Sequence, residues 1–145
     1  MRQRLLASLL PILILPLLVS ADDQPPVRLH QSELSRFPLF VGSLKITLTK
    51  LSGNGVLSLD STVEVQIEST SAAFTMFFPP RLSFVSKDGS QVDVLGVSLT
   101  NGVVSVADRR IAPRARIKEY YLLTGSIHLP ARLYYDEKLL AVIAD

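Results

Sequence analysis

Five basic side chains fall within ten positions near the end of the chain, and their chemistry suits anion binding. They are Arg109, Arg110, Arg114, Arg116 and Lys118. Arginine and lysine hold carboxylate or phosphate groups through charge-assisted hydrogen bonds. If residues 115–123 form a strand, alternate side chains point to one face of a sheet. Four residues would then share that face as a candidate site for an acidic protein, an anionic glycan or a lipid headgroup: Arg114, Arg116, Lys118 and Tyr120.

The same face has a second interpretation, in which it is only a solvated surface. Glu64 and Glu68 on a neighbouring strand would balance the basic charges, at a few tenths of a kcal/mol per pair. The two glutamates are also the best-spaced carboxylates for glycoside hydrolysis. At ~3.3 Å per residue they stand about 13 Å apart, beyond the ~5–9.5 Å that glycosidases use. We therefore expect both carboxylates to be solvated on the polar face of their strand.

No other pattern predicts catalysis, a metal or a cofactor. His30 and His128 are far apart in the sequence and the chain has no cysteine, so no metal-ligand spacing is present. The Asp88-Gly89 pair is typical of a hairpin turn and lacks the ligand series of a calcium loop. No serine stands in a G-x-S-x-G elbow. The sequence therefore predicts a protein that is not an enzyme, with no catalytic, metal or cofactor-binding residues.

Two adjacent tyrosine pairs, Tyr120-Tyr121 and Tyr134-Tyr135, suggest another kind of contact. In a strand, one ring of each pair points inward and the other outward. Two outward rings on neighbouring strands would form a platform on which a sugar could stack. A carbohydrate-binding module is therefore kept as an alternative function.

The elements that would position these residues are short strands. Val63, Val65 and Ile67 alternate with polar residues, which is the period-2 pattern of a half-buried strand. Turn residues follow at intervals of about 8–12 positions, and no segment sustains helical periodicity. Further strands are predicted at 44–49, 74–78, 82–85, 92–99, 103–106, 115–123, 131–135 and 139–144, with turns at Gly53-Asn54-Gly55, Asp88-Gly89 and Asn101-Gly102. The pattern predicts an all-β fold, an antiparallel β-sandwich of seven to nine strands.

This layout resembles the small extracytoplasmic immunoglobulin-like domains of bacteria over roughly residues 39–145. The resemblance lies in the strand 63–67, the Asp88-Gly89 turn, Ile111-Ala112-Pro113 and the closing segment 129–135. It is one of pattern, since the Cys…Trp…Cys core of antibody domains is absent. It implies an accessory or interaction role and transfers no functional residue.

The N-terminus has the features of a secretory signal peptide helix over residues 1–21. Arg2 and Arg4 precede an uncharged, leucine-rich stretch from Leu5 to Val19, and small residues follow at 20–21. The apolar stretch is shorter than the ~20 residues of a spanning helix; retention as an anchor is the alternative. We expect cleavage before Asp22, no stable membrane span afterwards, and a periplasmic or extracellular location. The lack of cysteine favours a bacterial export route.

The expected organisation is a signal peptide (1–21), a leader or linker (22–36) and a β-sandwich domain (37–145). The whole chain has 15 basic and 13 acidic residues. Losing Arg2 and Arg4 leaves 13 of each, so no nucleic-acid partner is expected. The predicted function is an exported binding or accessory module for a protein or envelope partner. The alternative from another class is a structural subunit that assembles by strand exchange through its apolar last strand, Leu139 to Ala144.

Overall fold

The structure, a computed structural model, describes residues 25–52, 61–99, 102–104 and 106–145. The predicted signal peptide at 1–21 lies outside the described residues, as do the turn at Gly53-Asn54-Gly55 and Asn101 of the predicted Asn-Gly turn. Within the described ranges, no helix is long and apolar enough to cross a membrane.

The described residues form an all-β fold, which confirms the predicted fold class. Predicted and observed strands agree within one or two residues at most positions, because period-2 alternation is a local signal. The strands are β1 Val27–His30, β2 Leu39–Val41, β3 Leu44–Ser52, β4 Thr62–Ser69, β5 Thr75–Phe77, β6 Leu82–Val85, β7 Gln91–Leu99, β8 Gly102–Val104, β9 Arg109–Ile111, β10 Arg116–Leu123, β11 Ala131–Tyr135 and β12 Lys138–Ala144. Two short 3₁₀ turns cover Gln31–Glu33 and Pro79–Arg81.

Nine strands form one continuous sheet in the order β1-β12-β11-β6-β7-β10-β4-β3-β2, and β8 pairs with the end of β7. Neighbours are antiparallel except β1 and β12, which are parallel. The sheet curls almost into a barrel, so its two ends meet. Val27 of β1, Leu39 of β2 and Leu140 of β12 line a small cavity at that seam. The curled sheet is compatible with a β-sandwich.

The core lies inside the curl and is built by alternation along each strand. On β4, Val63, Val65 and Ile67 are fully buried, whereas Gln66 and Glu68 on the opposite face are partly exposed. Each fully buried valine or leucine contributes about 1.5–3 kcal/mol relative to exposure. Because the chain has no cysteine, this apolar packing holds the fold without disulfides.

The first described strand joins the sheet beside the last. β1 pairs in parallel with residues 141–144 of β12, and its Leu29 is buried in the core. The His30 imidazole then accepts from the Ser32 backbone N–H at the start of the 3₁₀ turn. β12 therefore lies between β1 and β11, with both edges of its second half paired.

Two strands stand apart from the large sheet. β5 and β9 form an antiparallel ribbon, in which Phe77 lies opposite Arg109 and Met76 opposite Arg110. Phe77 packs inward with its ring 5.5 Å from the Tyr135 ring and 6.4 Å from the Tyr121 ring. Stacked aromatic contacts of this kind stabilise beyond their buried area. The Phe77 contacts therefore pack the ribbon against β10 and β11 of the large sheet.

Candidate binding surface

The predicted basic face is built on β10, which runs from Arg116 to Leu123. Tyr121 and Leu123 are buried on its inner face, together with partly buried Ile117. Arg116 and Lys118 are exposed on its outer face, where Tyr120 is also 57% exposed. Three of the four candidate residues therefore share one face of one strand.

Arg114 differs from the prediction. It lies in the turn between β9 and β10, with a positive φ of 57°, and the Ala115 N–H donates to the Ala112 carbonyl across that turn. Pro113 has no N–H and fixes its own φ, so it favours a turn here over a longer strand. Arg114 is exposed at the end of the face, outside the alternation of β10.

Neighbouring strands complete the face, because β10 pairs with β4 and β4 pairs with β3. Three cross-strand rows result, read from β3 through β4 to β10. They are Lys45–Glu68–Arg116, Thr47–Gln66–Lys118 and Lys50–Glu64–Tyr120. We call this outer surface of β3, β4 and β10 the charged face. It has four basic and two acidic side chains, with a fifth basic residue, Arg114, at its end.

The acidic residues of the charged face are both engaged. Lys118 Nζ forms an ion pair with Glu64 Oε1, and Lys45 Nζ lies 3.6 Å from Glu68 Oε2. Arg116 forms no ion pair with any described residue. The balancing of basic charge by Glu64 and Glu68 is thus present, and it leaves an excess of cations.

Glu64 is not solvated as the alternation suggested. Its exposure is only 7%, because it sits mid-strand between β3 and β10, beside the irregular register at Thr49. A buried carboxylate without a partner costs several kcal/mol. The Lys118 ammonium supplies that partner, so Lys118 has a structural task as well as a place on the surface.

The sequence offered no partner for Glu119, which falls on the inner face of β10. The structure places Arg109 of β9 beside it, with Nε 2.9 Å from Glu119 Oε1, and the Glu119 side chain is 16% exposed. The two residues belong to different sheets. Since no local spacing signals such a contact, sequence reasoning could not find it.

The tyrosine platform is not assembled in the form that the sequence suggested. Tyr120 points outward from β10 and Tyr134 is half-buried on β11, but β7 and β6 lie between those strands. Tyr134 also accepts a hydrogen bond from Arg132 at 3.3 Å. Tyr121 and Tyr135 are buried in the core. Tyr120 belongs to the charged face, in the row with Lys50 and Glu64.

The remaining polar candidates serve local structure. Asp88 Oδ1 accepts hydrogen bonds from the Ser90 hydroxyl at 2.5 Å and from the Ser90 N–H at 3.0 Å in the β6–β7 turn. The hydroxyl bond first, and then the backbone bond, lowers the Asp88 pKa. His128 is exposed, and its backbone N–H donates to Ser86 Oγ. In the part of the chain that the structure describes, no three histidine, aspartate or glutamate side chains cluster as metal ligands would.

The charged face can act by electrostatics and hydrogen bonding. Four of its five cations are exposed, namely Lys50, Arg114, Arg116 and Lys118. An excess of one sign attracts anions over about 8–10 Å at moderate salt. Comparison of the chain with protein-family models, curated proteins and solved structures finds no match. No residue role is transferred from another protein.

Proposed function

We propose that this chain is an exported, non-catalytic immunoglobulin-like β-sandwich that acts as a binding or accessory module in the periplasm or outside the cell. Its partner is a protein or another envelope component that presents anionic groups. The charged face is the surface that engages it, with Arg114, Arg116, Lys118 and Tyr120 as the contact residues.

One observation supports this proposal above the others: the charged face keeps uncompensated cations after its internal pairing. Both glutamates are engaged by lysines, whereas Arg116 and Arg114 have no ion pair within the described residues. A planar guanidinium binds carboxylate or phosphate with two parallel hydrogen bonds. Exposed Tyr120, further along the same face of β10 beyond Lys118, adds an apolar ring with a hydroxyl.

The experiment compares two double charge reversals in the chain from Asp22 onward, tagged at its N-terminus and used to capture partners. The test variant is Arg114→Glu with Arg116→Glu. The control is Arg28→Glu with Arg36→Glu, two exposed arginines elsewhere that change the net charge equally. We expect the test variant to lose partner affinity and its salt dependence, with stability altered by under ~1 kcal/mol.

The control variant should retain both the affinity and its salt dependence. Full-strength binding by the test variant at low and moderate salt would remove the charged face as the site. Equal losses in both variants would show that net charge alone, and no defined surface, governs the interaction.

Strand exchange is the second candidate, and the position of β1 gives it a specific form. β1 buries one side chain, Leu29, and its pairing with β12 is parallel, which is slightly weaker per residue than antiparallel pairing. If β1 left its place, the edge of β12 would be open to a strand from another copy. A concentration series of solution mass tests this: a strand-exchange subunit forms oligomers, and a binding module stays monomeric.

A further inference from the structure

The β5–β9 ribbon has a buried inner side and an outer side on which apolar side chains are exposed. Phe77 and Ile111 point inward and are 0% and 1% exposed. Phe74, the residue directly before β5, and Met76 on β5 point outward, with 55% and 40% of their surface exposed. Large apolar side chains at such exposure, side by side on a short ribbon, mark a contact surface.

A cation lies directly on this apolar surface. The Arg110 guanidinium sits 3.8 Å from the centroid of the Phe74 ring, and Arg110 is opposite Met76 in the ribbon register. We call Phe74, Met76 and Arg110 the ribbon surface. The same pairing recurs just after β5, where the Arg81 guanidinium lies 4.1 Å from the centroid of the Phe78 ring.

The segments that form the ribbon hold almost no negative charge. The sequence has no aspartate or glutamate from Ser69 to Val85 and none from Arg109 to Lys118. Asp108 directly precedes β9, and Glu119 is engaged by Arg109. Arg110 has no acidic partner among the described residues. The ribbon surface therefore combines exposed apolar groups with uncompensated positive charge.

We propose that the ribbon surface docks onto an anionic phospholipid bilayer, with Phe74 and Met76 inserted at the headgroup boundary and Arg110 against lipid phosphates. Bulky apolar residues beside arginine are the composition of interfacial membrane contacts, and a cation near an anionic membrane surface is attracted to it. A stable protein interface needs roughly 1,000 Å² or more. Two protruding side chains suit a bilayer better, because lipids accept single side chains without a complementary shape.

The ribbon surface is distinct from the charged face, so docking to a bilayer does not depend on binding of the proposed partner. The test uses the chain from Asp22 onward, because the apolar stretch Leu5 to Val19 would itself bind lipid. Every described strand begins at or after Val27, so this chain keeps the whole described fold. Thermal melting confirms that each variant is folded before lipid is added.

Because the chain has no tryptophan, Phe74→Trp introduces a single fluorescent reporter on the ribbon surface. Phe37→Trp is the matched control, since Phe37 is exposed by 47% in the connection between β1 and β2. Vesicles of phosphatidylglycerol mixed with phosphatidylcholine should shift the Phe74→Trp emission to the blue. The Phe37→Trp protein should bind equally well without a shift.

Sedimentation with the same vesicles measures affinity for a second variant pair. Phe74→Ser with Arg110→Gln should lower the partition coefficient at least ~10-fold. Arg36→Gln with Phe37→Ser, the same changes elsewhere, should leave it within about twofold. Binding of the parent chain should weaken as salt rises and be lost on phosphatidylcholine alone.

Three outcomes overturn the proposal: no preference for anionic vesicles, no blue shift at position 74, or equal losses in the two variant pairs. Binding to poly-glutamate but not to vesicles also overturns it and assigns the ribbon surface to an acidic protein. Partner capture through the charged face is scored separately. Capture that persists in the Phe74→Ser, Arg110→Gln variant shows that failure on vesicles leaves the proposed function standing.

Discussion

One short stretch of chain supplies Arg110 to the ribbon surface and Arg114, Arg116 and Lys118 to the charged face, yet the two surfaces differ in character. On the charged face, Lys118 is paired with a buried glutamate on β4. On the ribbon, Arg110 lies on the exposed Phe74 ring and forms no ion pair with any residue in the described ranges. The turn at Pro113-Arg114 takes the chain from one sheet to the other. Residues that are close along the chain therefore do not share one surface. The strands packed around each residue determine the surface to which it belongs.

The largest expected effect comes from the core that supports both surfaces. Val65 is fully buried, with 0% exposure, and it lies opposite Glu119 of β10 and Leu48 of β3. Val65→Asp should prevent folding, because an unpaired buried carboxylate costs several kcal/mol against a total of ~5–15. Circular dichroism shows whether the variant folds, and urea denaturation measures its free energy of unfolding.

Gln66→Asp is the matched control, one residue along β4 on its outer side. It should cost no more than about 1 kcal/mol, the span of strand preferences. If Val65→Asp melted within a degree or two of the parent, the inward facing of Val65 would be wrong.

The next effect sharpens the difference between two cations on the charged face itself. Lys118→Gln leaves Glu64 buried without its ion-pair partner, and we expect a loss of about 1–3 kcal/mol in the free energy of unfolding. Arg116→Gln removes an exposed cation that has no ion pair among the described residues, so it should cost under ~0.5 kcal/mol. Chemical denaturation of both variants gives the comparison. Similar losses would contradict the structural task assigned to Lys118.

A smaller effect tests how the ribbon is held on the sheet. The Phe78 N–H donates to the Tyr135 hydroxyl oxygen at 3.1 Å, while the buried Tyr121 hydroxyl has no hydrogen-bond partner among the described residues. Tyr135→Phe should therefore cost about 1 kcal/mol. Tyr121→Phe should be neutral or slightly stabilising at pH 7, because it removes a buried hydroxyl whose lost hydration is not offset by a hydrogen bond within the described residues. Thermal unfolding of the two variants would contradict this if their order were reversed.

The same tyrosines predict a loss of stability in alkali. Burial, the largest cause for both, raises the pKa of Tyr121 and of Tyr135 above the ordinary value of 10.0. The folded state thus favours the neutral phenols, and their contribution is complete below pH ~10 and falls as the pH rises above it. Tyr121→Phe should unfold at a higher pH than the parent. An unchanged alkaline midpoint would exclude Tyr121 as a cause.

The amino-acid pattern alone was enough to predict the all-β class, most strand positions and the core-facing side of β4 and β10. Val63, Val65 and Ile67 on β4 show why: alternation is a property of adjacent residues, so it is visible without knowing the fold. It also placed Arg116, Lys118 and Tyr120 on one outer face. The Asp88-Gly89 turn followed from residue preference alone, with Gly89 at a φ of 86°.

Which strands become neighbours, and therefore the environment of each site residue, depends on the fold as a whole. Glu64 is buried and paired because β4 runs between β3 and β10. Glu119 is paired because β9, a strand of the other sheet, brings Arg109 to it. The two outward tyrosines are separated because β7 and β6 lie between their strands. These outcomes depend on pairing between segments distant in sequence, where loop closure and packing of the whole sheet set the energy. No local pattern encodes such a pairing.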